Sequence, residues 1–304
     1  GGAGNVLDLN VTSAQGATIS AGVSVAGGTV TALGGNVDVD ATLGFISNLD
    51  INGLAGVSLD AGQDVVAVNA TALNDILVGL AGTTNSLESS TLDARGNVTA
   101  QLEYDVTNSS IFTGGLATVA TLDGEIDATD VIAELDILAT AGTGVSASSF
   151  TSETGNVDVI SLAGNIVATA LNAKAGAILV DAIDGELDAV DAVALGDITA
   201  SAFDAISASS FTSEEGNLII SALTGDIVGS SFYAKLGFAD FLLGGEFDDN
   251  VVETAGPIDL LSTWINGSTF VSENGYVNIE ATAGDIVGGS ATSKVDFVEA
   301  TAAG

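Results

Sequence analysis

The chain has 304 residues, with 40 Asp+Glu against 4 Lys+Arg and no His, a formal net charge of −36 at pH 7. Charge of that sign repels nucleic-acid phosphate and anionic lipid, while 47% hydrophobic and only 14% charged residues exclude a disordered acidic tail. The absence of Cys and His removes disulfides, thiol nucleophiles, Cys-based zinc sites and the imidazole base.

From Gly1 onward there is neither a basic stretch nor an apolar run of signal-peptide type, so any export signal is expected to have been removed or to lie outside this sequence. Residues 9–37 are uncharged, but scattered Gly, Ser, Thr and Asn argue against a membrane span. With 39 Gly and a single Pro, the composition predicts many short strands joined by tight turns. The expected class is all-β.

Self-similarity organises the rest. Glycines that open related segments fall at Gly4, Gly35, Gly62, Gly96, Gly124, Gly155, Gly185, Gly216, Gly245 and Gly275, a mean step of about 30 residues. The clearest copies, SSFTSETGNV, SSFTSEEGNL and STFVSENGYV, carry Phe150, Phe211 and Phe270 and recur at about 60 residues. Within one copy, Gly155, Gly164, Gly176 and Gly185 cut segments of 9, 12 and 9 residues. Each segment alternates with period 2, as in Val157 and Val159 or Ile178 and Val180. Three such strands per turn predict a triangular parallel β-helix, a single solenoid domain over residues 1–304 with about ten coils of about 30 residues.

A 20-residue coil, three per 60-residue repeat, is the rival. The residues after the opening glycines read Asn5, Asn36, Gln63, Asn97, Glu125, Asn156, Glu186, Asn217, Glu246 and Tyr276, with the Glu residues alternating with Asn. Stacked coils would align these positions, and alternation would hold the carboxylates two coils apart. Alternation therefore favours the longer coil. Lys174, Lys235 and Lys294 keep the same 60-residue rhythm and are expected to pair with nearby carboxylates. The Phe150, Phe211, Phe270 column is expected inside or at a corner, in alternate coils. Nine of the 15 aromatic residues lie after position 231, which predicts a wider core towards the C-terminus, with a carbohydrate platform or inter-subunit contact as alternatives.

The carboxylates invite calcium, which takes oxygen ligands. The best candidates are the Gly-Glu-x-Asp copies, Glu125 with Asp127, Glu186 with Asp188, and Glu246 with Asp248, each pair projecting to one strand face. Neither an EF-hand loop nor a glycine-rich calcium nonapeptide is present. The alternative is a solvated acidic surface that needs no cofactor. An enzyme is not expected, because the acids recur as ladders instead of forming one irregular cluster. Ice binding would need regular Thr-x-Thr ranks, and the Thr positions here drift. Asn-x-Ser/Thr sequons occur at Asn10, Asn69, Asn97, Asn108 and Asn266, the third of which lies in the expected ladder.

Runs such as GNVDVISLAGNIVATALNAKAG and GDITASAF resemble the Gly-Asn/Asp-Ile-x-Ala coils of filamentous-haemagglutinin-like exoproteins and related β-helical adhesins. The resemblance is best from about residue 120 onward and is one of repeat texture. It implies a right-handed parallel β-helix, export, and an adhesive or structural role.

The terminal copies show no capping pattern, and one period beyond Gly275 falls where the Gly1–Gly4 stretch of a second subunit would continue the column. The expected function is therefore an extracellular, cell-surface structural subunit. It would polymerise head to tail through its N- and C-terminal coils into a filament, sheath or surface fibre, rising about 48 Å per ten-coil subunit. The alternative is a segment of a larger surface adhesin that binds glycan or matrix. Neither reading requires nucleic acid or membrane insertion.

Overall fold

The computed structural model describes residues 4–79 and 84–303, and among these every regular element is a β-strand paired in parallel. The chain divides into two compact units, Gly1–Thr143 with Ala147–Glu153, and Gly144–Ser146 with Thr154–Gly304. Both are stacks of β-solenoid coils.

A coil has three faces. In the second unit one coil comprises Val157–Ser161, Ile166–Val167 and Ala170–Ala173, after which Ile178–Ala182 begins the next. The first face alternates strictly, with Val157, Val159 and Ser161 inside and Asp158 and Ile160 half-buried outside. The third face repeats the alternation over four residues, as in Ser210–Ser213, where Phe211 and Ser213 are buried. Period-2 patterning thus puts Val, Ile, Leu, Phe and Ala inside, each large one contributing roughly 1.5–3 kcal/mol on burial.

Three strands per coil are as expected, but the coil is shorter than the glycine spacing suggests. Val37 pairs with Val57, Val98 with Ala117, Val157 with Ile178 and Ile178 with Ile198, so one coil takes about 20 residues. The first unit holds seven first-face strands and the second eight, so there are about 15 coils, not ten. The long sequence repeat is three coils: Phe211 stacks on Phe232, Phe232 on Val252, and Val252 on Phe270. The opening glycines mislead because they mark two corners in turn. Gly155 precedes a first-face strand, and Gly185 precedes the second-face strand Leu187–Asp188 one and a half coils later. Asn156 and Glu186 therefore never share a ladder.

Between the second and third faces the chain turns through one residue with positive φ in coil after coil, among them Asn48, Ala67, Ala128, Ala168, Ala189, Ala208 and Asp249. This left-handed kink swings the following N–H out of the strand ladder. A buried hydroxyl of the next coil meets it: Val68 N donates to Ser90 Oγ at 3.1 Å, Ser90 N to Ser109 Oγ at 3.2 Å, and Val190 N to Ser209 Oγ at 3.1 Å. The same hydroxyls donate to the carbonyl two residues back, as Ser209 Oγ does to Ser207 O at 2.8 Å. These polar groups at the kink are thereby satisfied inside the core.

The two outermost coils are incomplete. Val6–Ser13 runs over the second and third faces as one strand, paired with Val25–Ala32 and kinked at Asp8 (φ 48°). At the other end Val298–Ala302 forms only the first face, paired with Val277–Ala281. All five of its residues are exposed, whereas Val277, Ile279 and Ala281 beneath it are buried.

Candidate functional site

The Glu-x-Asp copies do share one strand face: Ile126 is buried between exposed Glu125 and half-buried Asp127, and Phe247 likewise between Glu246 and Asp248. Neighbouring coils engage several of these carboxylates. Asp188 accepts from Ser207 Oγ at 2.7 Å, Asp248 from Asn266 Nδ2 at 2.8 Å, and Glu186 from Asn165 Nδ2 at 2.9 Å. Along a strand, side chains two residues apart are separated by roughly 6.5 Å and diverge outward. Among the described residues no group of three or more acids is placed to hold a metal ion.

What these corners do is bind coil to coil. Before the second face, Glu125 N donates to Asp105 Oδ1 at 2.9 Å, Glu186 N to Asn165 Oδ1 at 3.0 Å, and Glu246 N to Asp226 Oδ1 at 2.7 Å. Before the first face, Asn36, Asp75 and Asn97 in one unit and Asn156, Asp197 and Asn217 in the other accept the backbone N–H of the next coil. The expected ladder running through Asn97 and Glu125 does not form; Asn97 N instead donates to Asp75 Oδ1 and its Oδ1 accepts from Leu116 N, each about 20 residues away. Short Asn and Asp side chains suit this task because their oxygen reaches a backbone N–H one coil away, which a longer side chain overshoots.

Two of the lysines pair as expected. Lys235 meets Glu214 at 2.6 Å, and Lys294 meets Glu273. Each pair joins adjacent coils and recurs with the three-coil rhythm. Between them the same edge carries Ala255, whose short side chain leaves a shallow groove of about 270 Å³ bordered by Tyr233, Lys235, Glu253 and Glu273.

The aromatic residues divide into two sets. Phe211, Phe232, Phe241, Phe247 and Phe270 are buried, with Phe211 and Phe232 stacked at 5.6 Å and Phe232 edge-on to Phe241 at 4.9 Å, so four of the nine aromatic residues after position 231 lie in the core. Phe238, Pro257, Tyr276 and Phe297 instead occupy successive coils at one outer corner, as their carbonyls accept from Leu218, Ala239, Ile258 and Val277 in turn. Tyr276 and Phe297 stack at 5.3 Å and 7°. Tyr276 Oη donates to Asp259 Oδ2 at 2.8 Å, a bond that holds its proton and raises the phenol pKa. Nearby, partial desolvation and the charge of Asp259 raise the Asp240 carboxyl. Trp264 lies flat on Gly284, where any Cβ would strike the indole.

The last strand, Val298–Ala302, carries exposed apolar residues. Val298 is 44% exposed against 0% for its stacked equivalent Val277, and Val295 and Phe297 are exposed beside it. Compared with known proteins, the chain matches no family model, no curated protein and no solved structure. The reading of function therefore rests on geometry. Sequence reasoning missed the hydroxyl ladder, whose signal is a Ser or Thr in many coils just before the third face, as at Ser90, Ser109, Thr129 and Ser148.

Proposed function

We propose that the protein is an extracellular structural subunit that polymerises head to tail into a filament, sheath or surface fibre. The observation that supports this reading is the regular stack of parallel coils, each bonded to the next through its strand ladders and its Asn/Asp corners, with no irregular cleft among the described strands. The mechanism is mechanical, with backbone bonds and Asn/Asp corner caps along the axis, an apolar interior, and a net charge of −36 that keeps fibres from bundling indiscriminately. No catalytic residue and no cofactor is required, and calcium at Glu125/Asp127, Glu186/Asp188 or Glu246/Asp248 is not needed for assembly. Location at the cell surface follows from the resemblance to exported β-helical repeats.

The aromatic corner Phe238–Pro257–Tyr276–Phe297 favours a second reading, a segment of a larger adhesin that binds glycan or matrix. Stacking of Tyr276 on Phe297 takes up one face of each ring, which reduces the aromatic surface open to a sugar.

Sedimentation velocity and electron microscopy of the purified chain near neutral pH, with calcium and then with chelator, decide between them. The expected result is concentration-dependent fibres with a coil spacing of about 4.8 Å along the axis, unchanged by chelator. A single-chain species at every concentration refutes polymerisation and leaves the adhesin reading.

A further inference from the structure

Four apolar residues form a ridge along the second unit. Ser161, Ala182, Ala202 and Ala222 end successive first-face strands and pair in register. The residues that follow them, Leu162, Ile183, Phe203 and Leu223, therefore stand one above another at the corner leading to the second face. All four are exposed, from 37% at Phe203 to 65% at Leu223. Beside them on the first face Asp181, Ser201 and Ser221 are short and polar, and in later coils the corner position passes to Gly244, Thr263 and Thr282. A contiguous apolar patch with a polar rim marks an interaction surface, which a scattered single leucine does not.

Charge sets the sign of the partner. The unit's three cations, Lys174, Lys235 and Lys294, each follow a third-face strand and so stand at a different corner. Around the ridge the charged residues are carboxylates. Asp184 and Asp204 are exposed immediately after Ile183 and Phe203, Asp181 lies on the first face, and Glu186 and Asp226 precede the second. A second copy of this chain would meet them with its own net charge of −36.

Spacing selects the shape. Coils stack about 4.8 Å apart, so the ridge runs about 14 Å along the axis. Same-face residues of an extended strand recur at about 6.6 Å and would drift by about 5 Å over the four positions. A helix repeats every 5.4 Å or so and drifts by only about 2 Å. We infer that the Leu162–Ile183–Phe203–Leu223 ridge docks a cationic amphipathic helix of a partner protein, laid along the solenoid axis. Its apolar residues at i, i+4, i+7 and i+11 cover the ridge, and Lys or Arg on its flanks face Asp181, Asp184 and Asp204. The ridge lies on the side of the stack, so this inference stands whether or not copies polymerise.

The probe is a labelled Leu/Lys peptide of about 14 residues with that spacing, set against an isomer of scrambled order. Binding to the full chain is read by fluorescence anisotropy, and Trp264 fluorescence confirms that each variant is folded. The helical isomer should bind about tenfold more tightly than the scrambled one, and Phe203→Ser/Leu223→Ser should weaken it by about tenfold. Leu236→Ser removes an equally exposed leucine beside Lys235, at the cationic corner, and should leave the affinity within about twofold. Asp184→Asn/Asp204→Asn should weaken binding at low salt and flatten its salt dependence. Equal binding of the two peptides, or undiminished binding by either double variant, overturns the proposal. If Phe203→Ser/Leu223→Ser abolishes self-association of the chain while peptide binding is unchanged, the ridge belongs to a second copy and the proposal is likewise overturned.

Discussion

Replacing Asn250 by alanine tests the internal ladder at its most demanding step. The side chain is 1% exposed, its Oδ1 accepts from Ser230 N at 2.8 Å, and its Nδ2 donates to Ile227 O at 2.6 Å. Several other coils use a hydroxyl here, which takes the N–H well but reaches the carbonyl only at the distance of Ser268 Oγ to Phe247 O, 3.3 Å. Alanine strands a buried donor and a buried acceptor at about 1–3 kcal/mol each. A total of about 2–4 kcal/mol is expected, the carbonyl contributing less because it keeps a second lone pair. Asn250→Ser restores the common ladder residue and the acceptor for Ser230 N, so its cost should be about 1 kcal/mol. With a urea slope of about 2 kcal/mol/M, alanine lowers the midpoint by about 1–2 M and serine by about 0.5 M. Trp264, the only Trp in the chain, sits on the strand paired with Glu246–Asp248 and reports this unit's unfolding by fluorescence. Equal midpoints for the two variants, or serine below alanine, would refute the account of the ladder.

Ser161 Oγ is buried without a hydrogen-bond partner, beside Ala182 in register, so Ser161→Ala should raise the urea midpoint by an amount equivalent to about 1 kcal/mol, and a lowered midpoint counts against that burial cost. Ala168→Gly, Ala189→Gly and Ala208→Gly each relieve a left-handed L-residue worth about 1–2 kcal/mol and lose about 0.4–1 kcal/mol to unfolded-chain entropy. A net gain of about 0.5–1 kcal/mol per site, read from urea midpoints of the single and triple variants, is expected. The Asp240 pKa is raised in the folded state, so the native protein binds that proton more readily than the unfolded chain. Its destabilisation is present at neutral pH and vanishes as pH falls through the folded and then the unfolded pKa, so Asp240→Asn should stabilise at neutral pH and lose its advantage on acidification. The exposed Lys235–Glu214 pair should give a coupling of about 0.2–1 kcal/mol in a double-mutant cycle at low salt, and close to nothing at high salt.

Fold class was legible because period-2 alternation in segments such as Val157–Ser161 and glycine-marked turns recur along the chain. Coil length was not, because the long repeat divides equally well into two large coils or three small ones. Only register separates them: Gly155 and Gly185 look like one motif, yet they sit at different corners. Asn156 and Glu186 mislead for the same reason, since their alternation separates charges only on a shared ladder. Phe211 and Phe270 are recognisable as core residues, but Phe232, in the first of the two coils between them, lacks the full flanking motif that draws attention to them. The common face of each Glu-x-Asp pair is legible from its spacing. The bonds that the Glu backbone amides donate to Asp105, Asn165 and Asp226 of the preceding coil depend on stacking that no single strand encodes.

The three-coil rhythm fixes how such a chain can change length. Losing one coil would leave three faces and a continuous apolar interior, but it would shift every Asn, Asp, Glu and Lys beyond the cut by one step. Lys235 would then no longer face Glu214, nor Asn217 the amide it caps. Gain or loss of a whole three-coil block leaves all these ladders in phase. Duplication and deletion are therefore tolerated in quanta of about 14 Å of axis, three coil spacings, and length variants of this solenoid should differ by multiples of that step.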